Sequence, residues 1–210
     1  MPRVAHSTVI LAAGDFPRRG GAAYQALSEA KKVVCCDSAA DAYKRAFRKE
    51  PTLVVGDCDS VRGRFAAVKV HIGEQETNDL EKAIRVCRAK GWKNLLIVGA
   101  TGKREDHTLG NIFRALDAGI PILTDFGAFH ILEPNKKNKF KLPLATALSI
   151  FISNPKTRLK STGLEWSLDR VRFKNLYCAT LNRSNRPVVT LTTTHRAYLY
   201  EAFEHRGKIV

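Results

Sequence analysis

The sequence predicts an α/β domain built on a parallel sheet, followed by a smaller all-β domain. Three observations carry that prediction. Up to about residue 132, short apolar runs alternate with stretches of helical periodicity. A polar, proline-containing segment, Glu133-Pro134-Asn135-Lys136-Lys137-Asn138-Lys139, then interrupts the pattern as a linker would. Beyond it the chain is rich in Thr, Val and Tyr, alternates with the period of a strand and shows no long helical period.

The apolar runs of the first part fall at residues 8–13, 33–36, 53–55, 68–72, 95–98 and 120–123. They are rich in Val and Ile and often end in Gly, Asp or Ser, as buried parallel strands do. The first, Val9-Ile10-Leu11-Ala12-Ala13, is too short for a signal-peptide core and stops at Gly14-Asp15. No run reaches the roughly 20 apolar residues that span a bilayer. A cytoplasmic protein is expected. Of the helical stretches, the clearest starts at Asp79, where Leu80, Ala83, Ile84 and Cys87 recur on one face. Another starts near Asp106, with Leu109, Ile112, Phe113 and Leu116 as its apolar face. The second domain should hold strands near 147–152, 171–173, 188–194 and 198–203. The domain limits are therefore placed at 1–134 and 135–210.

Composition narrows the function. Hydrophobic residues make up 44% of the 210, the proportion of an ordinary globular chain. The five cysteines are odd in number and show no zinc spacing, so a reduced protein is expected. A net charge of +15 attracts polyanions, either nucleic acid or a nucleotide triphosphate. The basic residues are scattered, and no RNP sequence or zinc finger accompanies them, which argues against nucleic acid.

Four segments carry chemistry. Asp37-Ser38 closes the run at 33–36, and Gly56-Asp57-Cys58-Asp59-Ser60 follows the run at 53–55. Ligands of open α/β sheets sit at the carboxyl ends of strands, and carboxylates gathered there can share a hard cation. Taken singly, each is also what a capping turn looks like. Gln75-Glu76-Thr77-Asn78-Asp79-Leu80-Glu81-Lys82-Ala83 opens the clearest helix, with Thr77 or Asn78 as its cap. Asp79 and Lys82 share a face away from the apolar one, as a metal carboxylate with a phosphate-binding ammonium or as an ordinary surface pair. Gly99-Ala100-Thr101-Gly102-Lys103-Arg104-Glu105-Asp106-His107-Thr108-Leu109-Gly110-Asn111 is the densest segment. It joins a strand to a helix with glycines that admit a ligand, a guanidinium for phosphate, a carboxylate and an imidazole. Gly102-Lys103 lacks the other residues of a Walker A loop, and no G-x-G-x-x-G or G-x-S-x-G is present.

In this order the four segments resemble the thiamine pyrophosphokinase family. Its patterns are D-G-G-A, G-D-x-D-S, Q-x-x-T-D-x-x-K-A and G-G-x-G-x-R-x-D-H-x-x-x-N. A fifth, S-x-G-L-K-(Y/W)-x-L, is matched by Ser161-Thr162-Gly163-Leu164-Glu165-Trp166-Ser167-Leu168. The likeness spans nearly the whole chain. Ser38 and Ala39 stand for two glycines, Asn78 for Thr, Ala100 for Gly and Glu165 for Lys, while the family's S-N-E is reduced to Leu181-Asn182-Arg183.

The resemblance implies a C-terminal β-sandwich, a homodimer with sites at the subunit interface, and transfer of pyrophosphate from ATP to the hydroxyl of thiamine with release of AMP. It implies Mg2+ on Asp57, Asp59 and Asp79, with Asp37 as a further candidate. Gln75, Lys82 and Arg104 would hold ATP phosphates, with Asn78 and Gly102 in the same ligand-facing segments. Asp106 would organise the metal or nucleotide side or, alternatively, take the hydroxyl proton. His107 and Asn111 would support the loop, and Ser161 with Trp166 would cover the thiamine rings from the partner subunit. Two other readings stay open: transfer to another hydroxymethyl acceptor such as a pterin, prompted by Glu165 and the altered S-N-E, and a basic nucleic-acid-binding module.

Overall fold

The computed structural model describes residues 7–57, 59, 62–74 and 76–203. They fall into two compact units that divide between Asp125 and Phe126.

The first unit is a parallel sheet with helices. Its strands are β1 (Thr8–Leu11), β2 (Lys32–Cys36), β3 (Leu53–Gly56), β4 (Val68–His71), β5 (Leu95–Val98) and β6 (Ile122–Leu123). Its helices are α1 (Ala22–Glu29), α2 (Ala39–Phe47), α3 (Asp79–Ala89) and α4 (Glu105–Ala118). The strand order is β6-β5-β1-β2-β3-β4, all parallel. β1, β3 and β5 are buried along their whole length, which is why they read as continuous apolar runs rather than alternating ones. β4 lies at the edge, and Val68 there is largely exposed. The chain steps outward from β1 in one direction through β2, β3 and β4, and in the other through β5 and β6. β1 and β5 thus flank the point where the order reverses, the place where open α/β sheets bind ligands.

Local chemistry sets the helices. Asn78 caps α3 by accepting the Glu81 N–H at 3.0 Å. The face made by Leu80, Ala83, Ile84 and Cys87 is buried, as its periodicity predicts. α4 departs from prediction in one respect. Leu116 is buried and Ile112 and Phe113 are half-buried, but Leu109 is largely exposed. Ala115 and Asn111 take the core side instead.

The second unit is a β-sandwich. One sheet runs β11-β9-β13-β7 and the other β10-β12-β8. The strands are β7 (Gly127–Leu132), β8 (Asn138–Lys141), β9 (Ala147–Ile152), β10 (Leu159–Thr162), β11 (Ala179–Arg183), β12 (Val188–Thr193) and β13 (Ala197–Ala202). All pairings within these sheets are antiparallel. Their inner faces share one core that includes Leu132, Leu148, Ile150, Ile152, Val189, Leu191 and Leu199.

Three expectations need correction here. Residues 133–139 are not a linker: Asn138 accepts the Glu133 N–H and donates back to the Glu133 and Leu191 carbonyls, fastening the turn into the sandwich. The division between units lies about nine residues earlier than expected, because the apolar strand β7 belongs to the second unit. Residues 171–173 form no strand. Phe173 is buried in the sandwich core from a loop, so its apolar character reflects burial alone.

Candidate active site

The carboxyl ends of β2 and β3 and the start of α3 bring three of the expected aspartates together. Asp37 follows β2 with a left-handed backbone, φ 43°, and its N–H donates to the Val55 carbonyl at 3.0 Å. Gly56 ends β3 with φ 155° and lies against Asp37 and Asp79. A Cβ added there would stand 3.1 Å from the Asp37 Cβ and 3.3 Å from the Asp79 carboxyl. Glycine is what lets β3 deliver Asp57 between its neighbours. From below, the Cys36 thiol donates to the Asp79 main-chain carbonyl at 3.6 Å. His71 on β4 places Nδ1 3.0 Å from the Asp57 carbonyl.

Electrostatics show the crowding. Burial raises Asp79 above the ordinary carboxylate range, and the carboxylates of Asp37 and Asp57 push in the same direction, against the pull of Lys82. Lys82 itself is 2% exposed, so it is not the ordinary surface partner that its helical position permits. Among the described residues, its hydrogen-bond partner is Asp79 Oδ1 at 3.3 Å. An ammonium has three donors, so this one keeps capacity for a further anion.

Asp59 is exposed, and its N–H donates to Asp57 Oδ1 at 3.3 Å. Among the described residues, no three His, Cys, Asp or Glu side chains already surround a common point at metal distance. The donor set still fits Mg2+. That ion prefers oxygen, keeps several waters and is held by one or two carboxylates together with substrate phosphates.

A second group lies where β5 meets α4. Arg104 forms a forked pair with Asp106, Nε to Oδ1 at 3.1 Å and Nη2 to Oδ2 at 2.6 Å, and both side chains are well exposed. The guanidinium, with the His107 N–H on the same carboxylate, lowers Asp106 to about 2. The two groups are joined by buried Asn111, whose Nδ2 donates to the Ala100 carbonyl at 3.1 Å and whose Oδ1 accepts from Asn78 Nδ2 at 3.0 Å. Gln75 lies outside the described residues.

Sequence reasoning missed Asp15. Its N–H donates to the Thr101 carbonyl at 2.8 Å, and its carboxylate packs on Gly102, where a Cβ would fall 2.1 Å from Asp15 Oδ2. Gly102 has φ 84°, so both the space and the backbone require glycine. The available signal was position: Gly14-Asp15 lies just beyond β1 as Asp37 and Asp57 follow β2 and β3.

In the second unit, Ser161 lies in β10 and Trp166 in the loop that follows it. Ser161 accepts the Leu168 N–H at 2.8 Å, and Asp169 Oδ1 accepts the Ser161 N–H at 2.8 Å. Trp166 is 53% exposed.

Comparison with known proteins fits this geometry. The model of the thiamin pyrophosphokinase catalytic domain matches residues 23–124, the stretch that contributes Asp37, Asp57, Asp79 and Asp106. That stretch of the chain is similar to the catalytic domain of the thiamin pyrophosphokinases. Thiamine pyrophosphokinase 1 of Oryza sativa subsp. japonica is 26% identical over 162 residues, which cover 66% of this chain and 60% of the rice protein. The match thus spans less than two thirds of that family member's length. Two solved structures share the fold. Thiamine pyrophosphokinase from Bacillus subtilis has a TM-score of 0.75 at 18% identity, covering 94% of this chain and 100% of its own. Thiamin pyrophosphokinase from Candida albicans has a TM-score of 0.78 at 14% identity, covering 97% and 92%. The fold of an α/β unit with a β-sandwich is therefore shared with both at low sequence identity. Among the described residues, no helix is long and apolar enough to cross a membrane.

Proposed function

We propose that this chain transfers the pyrophosphoryl group of ATP to the hydroxyl of thiamine, giving thiamine diphosphate and AMP. The observation that carries the reading is the gathering of Asp37, Asp57 and Asp79 around Gly56, with buried Lys82 beside them. Three acidic groups crowded at strand ends favour a hard cation, and a buried ammonium with donors to spare favours a phosphate.

Asp57, Asp59 and Asp79 would hold Mg2+, with Asp37 at the rear of the group. When bound, the ion supplies charge neutralisation to the phosphate oxygens. Lys82, Gln75 and Arg104 hold the phosphates, and Asn78 and Asn111 tie the α3 and α4 starts together so that the cations Lys82 and Arg104 keep a fixed spacing. Asp15 and Gly102 shape the loop beside them. The new bond joins the thiamine oxygen to the β-phosphorus, and the bond from that phosphorus to the oxygen carried away by AMP breaks. The hydroxyl proton must leave to a base. Asp106 is poorly suited to that role, because a carboxylate held near 2 is a weak proton acceptor at neutral pH. It serves instead to aim Arg104 through its forked pair. Trp166 offers an exposed aromatic face suited to a cationic thiazolium, on a loop closed by Ser161. A homodimer and a cytoplasmic location belong to the same reading.

The test is AMP release from ATP and Mg2+ on addition of thiamine, with a hydroxymethyl pterin run alongside. Thiamine-dependent AMP supports the proposal. A strong pterin preference replaces the acceptor, and no AMP with either overturns the reaction.

A further inference from the structure

We infer that Asn182 is a positioning residue that sets the acceptor-facing aromatic Trp166. The inference rests on the reading of Trp166 given above, and it assigns a role to a residue placed far from it in sequence.

Asn182 is 4% exposed, and its amide is fully engaged. Its Nδ2 donates to the Trp166 carbonyl at 2.8 Å, and its Oδ1 accepts the Trp166 N–H at 3.3 Å and the Arg183 N–H at 2.8 Å. One side chain therefore holds both main-chain polar groups of Trp166. The neighbours on the same ladder are held by the main chain: the Glu165 N–H donates to the Arg183 carbonyl at 2.9 Å, and Leu164 bridges Ser184. At Trp166 the ladder passes from main chain to side chain.

A β-bulge makes this possible. Pairing of β11 with β9 shifts register between Ala179 and Asn182, and Leu181 in that gap has φ 65° and is 83% exposed. A left-handed leucine with its side chain in water has no packing reason to be there. Such backbone persists where the surroundings impose it, and bulges re-aim the side chain that follows. Here the following side chain is Asn182, turned inward beneath Trp166. Ser161 and Asp169 close the two ends of the same loop, so its backbone is fixed at three points while the indole stays half in solvent. Rigid backbone under an exposed aromatic is the arrangement of a preorganised ring-binding surface.

The experiment uses the full chain. Asn182→Ala should raise the KM for thiamine about tenfold or more while leaving the KM for ATP unchanged. Trp166→Ala should raise it at least as much, and the double variant should be no worse than Trp166→Ala alone, because Asn182 acts through Trp166. Asn182→Asp, which keeps the acceptors and loses the donor to the Trp166 carbonyl, should fall between. It serves as the reporter if the alanine variant does not fold. In a Trp92→Phe background, Trp166 is the one tryptophan, and Asn182→Ala should increase its quenching by acrylamide. If Trp166→Ala raises the thiamine KM but neither Asn182 variant does, the inference is overturned. If Trp166→Ala changes nothing, the acceptor role of Trp166 falls, and unchanged acrylamide quenching in Asn182→Ala then removes the positioning role as well.

Discussion

The two charged groups at the strand ends of the first unit differ in how their charge is balanced. Around Gly56, three carboxylates crowd together, one of them buried and two half-buried, with one ammonium beside them among the described residues. Where β5 meets α4, Arg104 and Asp106 neutralise each other in water as a forked pair. Among the described residues, the first group holds more carboxylates than cations, and burial, with the charges of Asp37 and Asp57 added, raises Asp79. The second is balanced and stores nothing, as lowered Asp106 shows. An unbalanced cluster is a request for a ligand, whereas a balanced pair is a device for aiming one. The comparison divides the labour of the proposed reaction between cation binding at the first and phosphate orientation at the second.

The largest effects should come from the unbalanced group. Asp57→Asn or Asp79→Asn removes one charge meant for the cation, and thiamine-dependent AMP release should fall on the order of a hundredfold or more. Because Asp57→Asn relieves repulsion with Asp79 and leaves Lys82 its carboxylate partner, that variant should unfold at a urea concentration equal to or above that of the parent. A loss of activity with unchanged or raised stability would separate a ligand site from a structural one. Full activity in either variant would remove the metal role.

The balanced pair should respond to pH in the opposite sense from a catalytic base. Asp106 is held at about 2 when folded, below its ordinary carboxylate value. Its stabilising contribution is therefore complete above the unfolded value near 4 and is lost as pH falls through about 2. It stays ionised across the working range. Asp106→Asn should thus leave the position of the acid limb of kcat against pH unmoved, while raising the KM for ATP several-fold by releasing Arg104 from its fork. A shift of the acid limb would return the proton-acceptor role to Asp106.

These groups were unequally visible in the sequence. The aspartates and their strands were legible because buried parallel strands are uniformly apolar and end at polar residues: β5 at Leu95–Val98 spans the same residues as its apolar run. Lys82 was not legible as buried, since helical spacing places it on the Asp79 face and says nothing of what covers that face. Asp15 escaped because its partners Thr101 and Gly102 lie some 86 residues on, brought near only by the pairing of β1 with β5. In the sandwich, β11 was unreadable because the bulge at Leu181 breaks the alternation that marks a strand. Residues 171–173 misled in reverse, apolar for burial in a loop. Periodicity reports regular elements, and function here sits where the regularity stops.

The smallest effect concerns two departures from the family's patterns that are separate in sequence and joined in the fold. Where the related motifs carry Lys and the Glu of S-N-E, this chain carries Glu165 and Arg183. The Glu165 N–H donates to the Arg183 carbonyl, with Leu164 bridging Ser184 on one side and Trp166 bonded to Asn182 on the other, so the two residues stand opposite each other, both exposed. The two changes therefore exchange the signs of one cross-strand pair and keep its attraction. Glu165→Lys alone sets two cations face to face and should cost about 0.2–1 kcal/mol in urea unfolding, as should Arg183→Glu. The double exchange, which restores the family's order, should recover the parental midpoint and leave the thiamine KM within about twofold. Additive losses in the double variant would mean that the residues are independent, and that the acceptor surface beside Trp166 differs from its relatives in charge and not merely in the order of its charges.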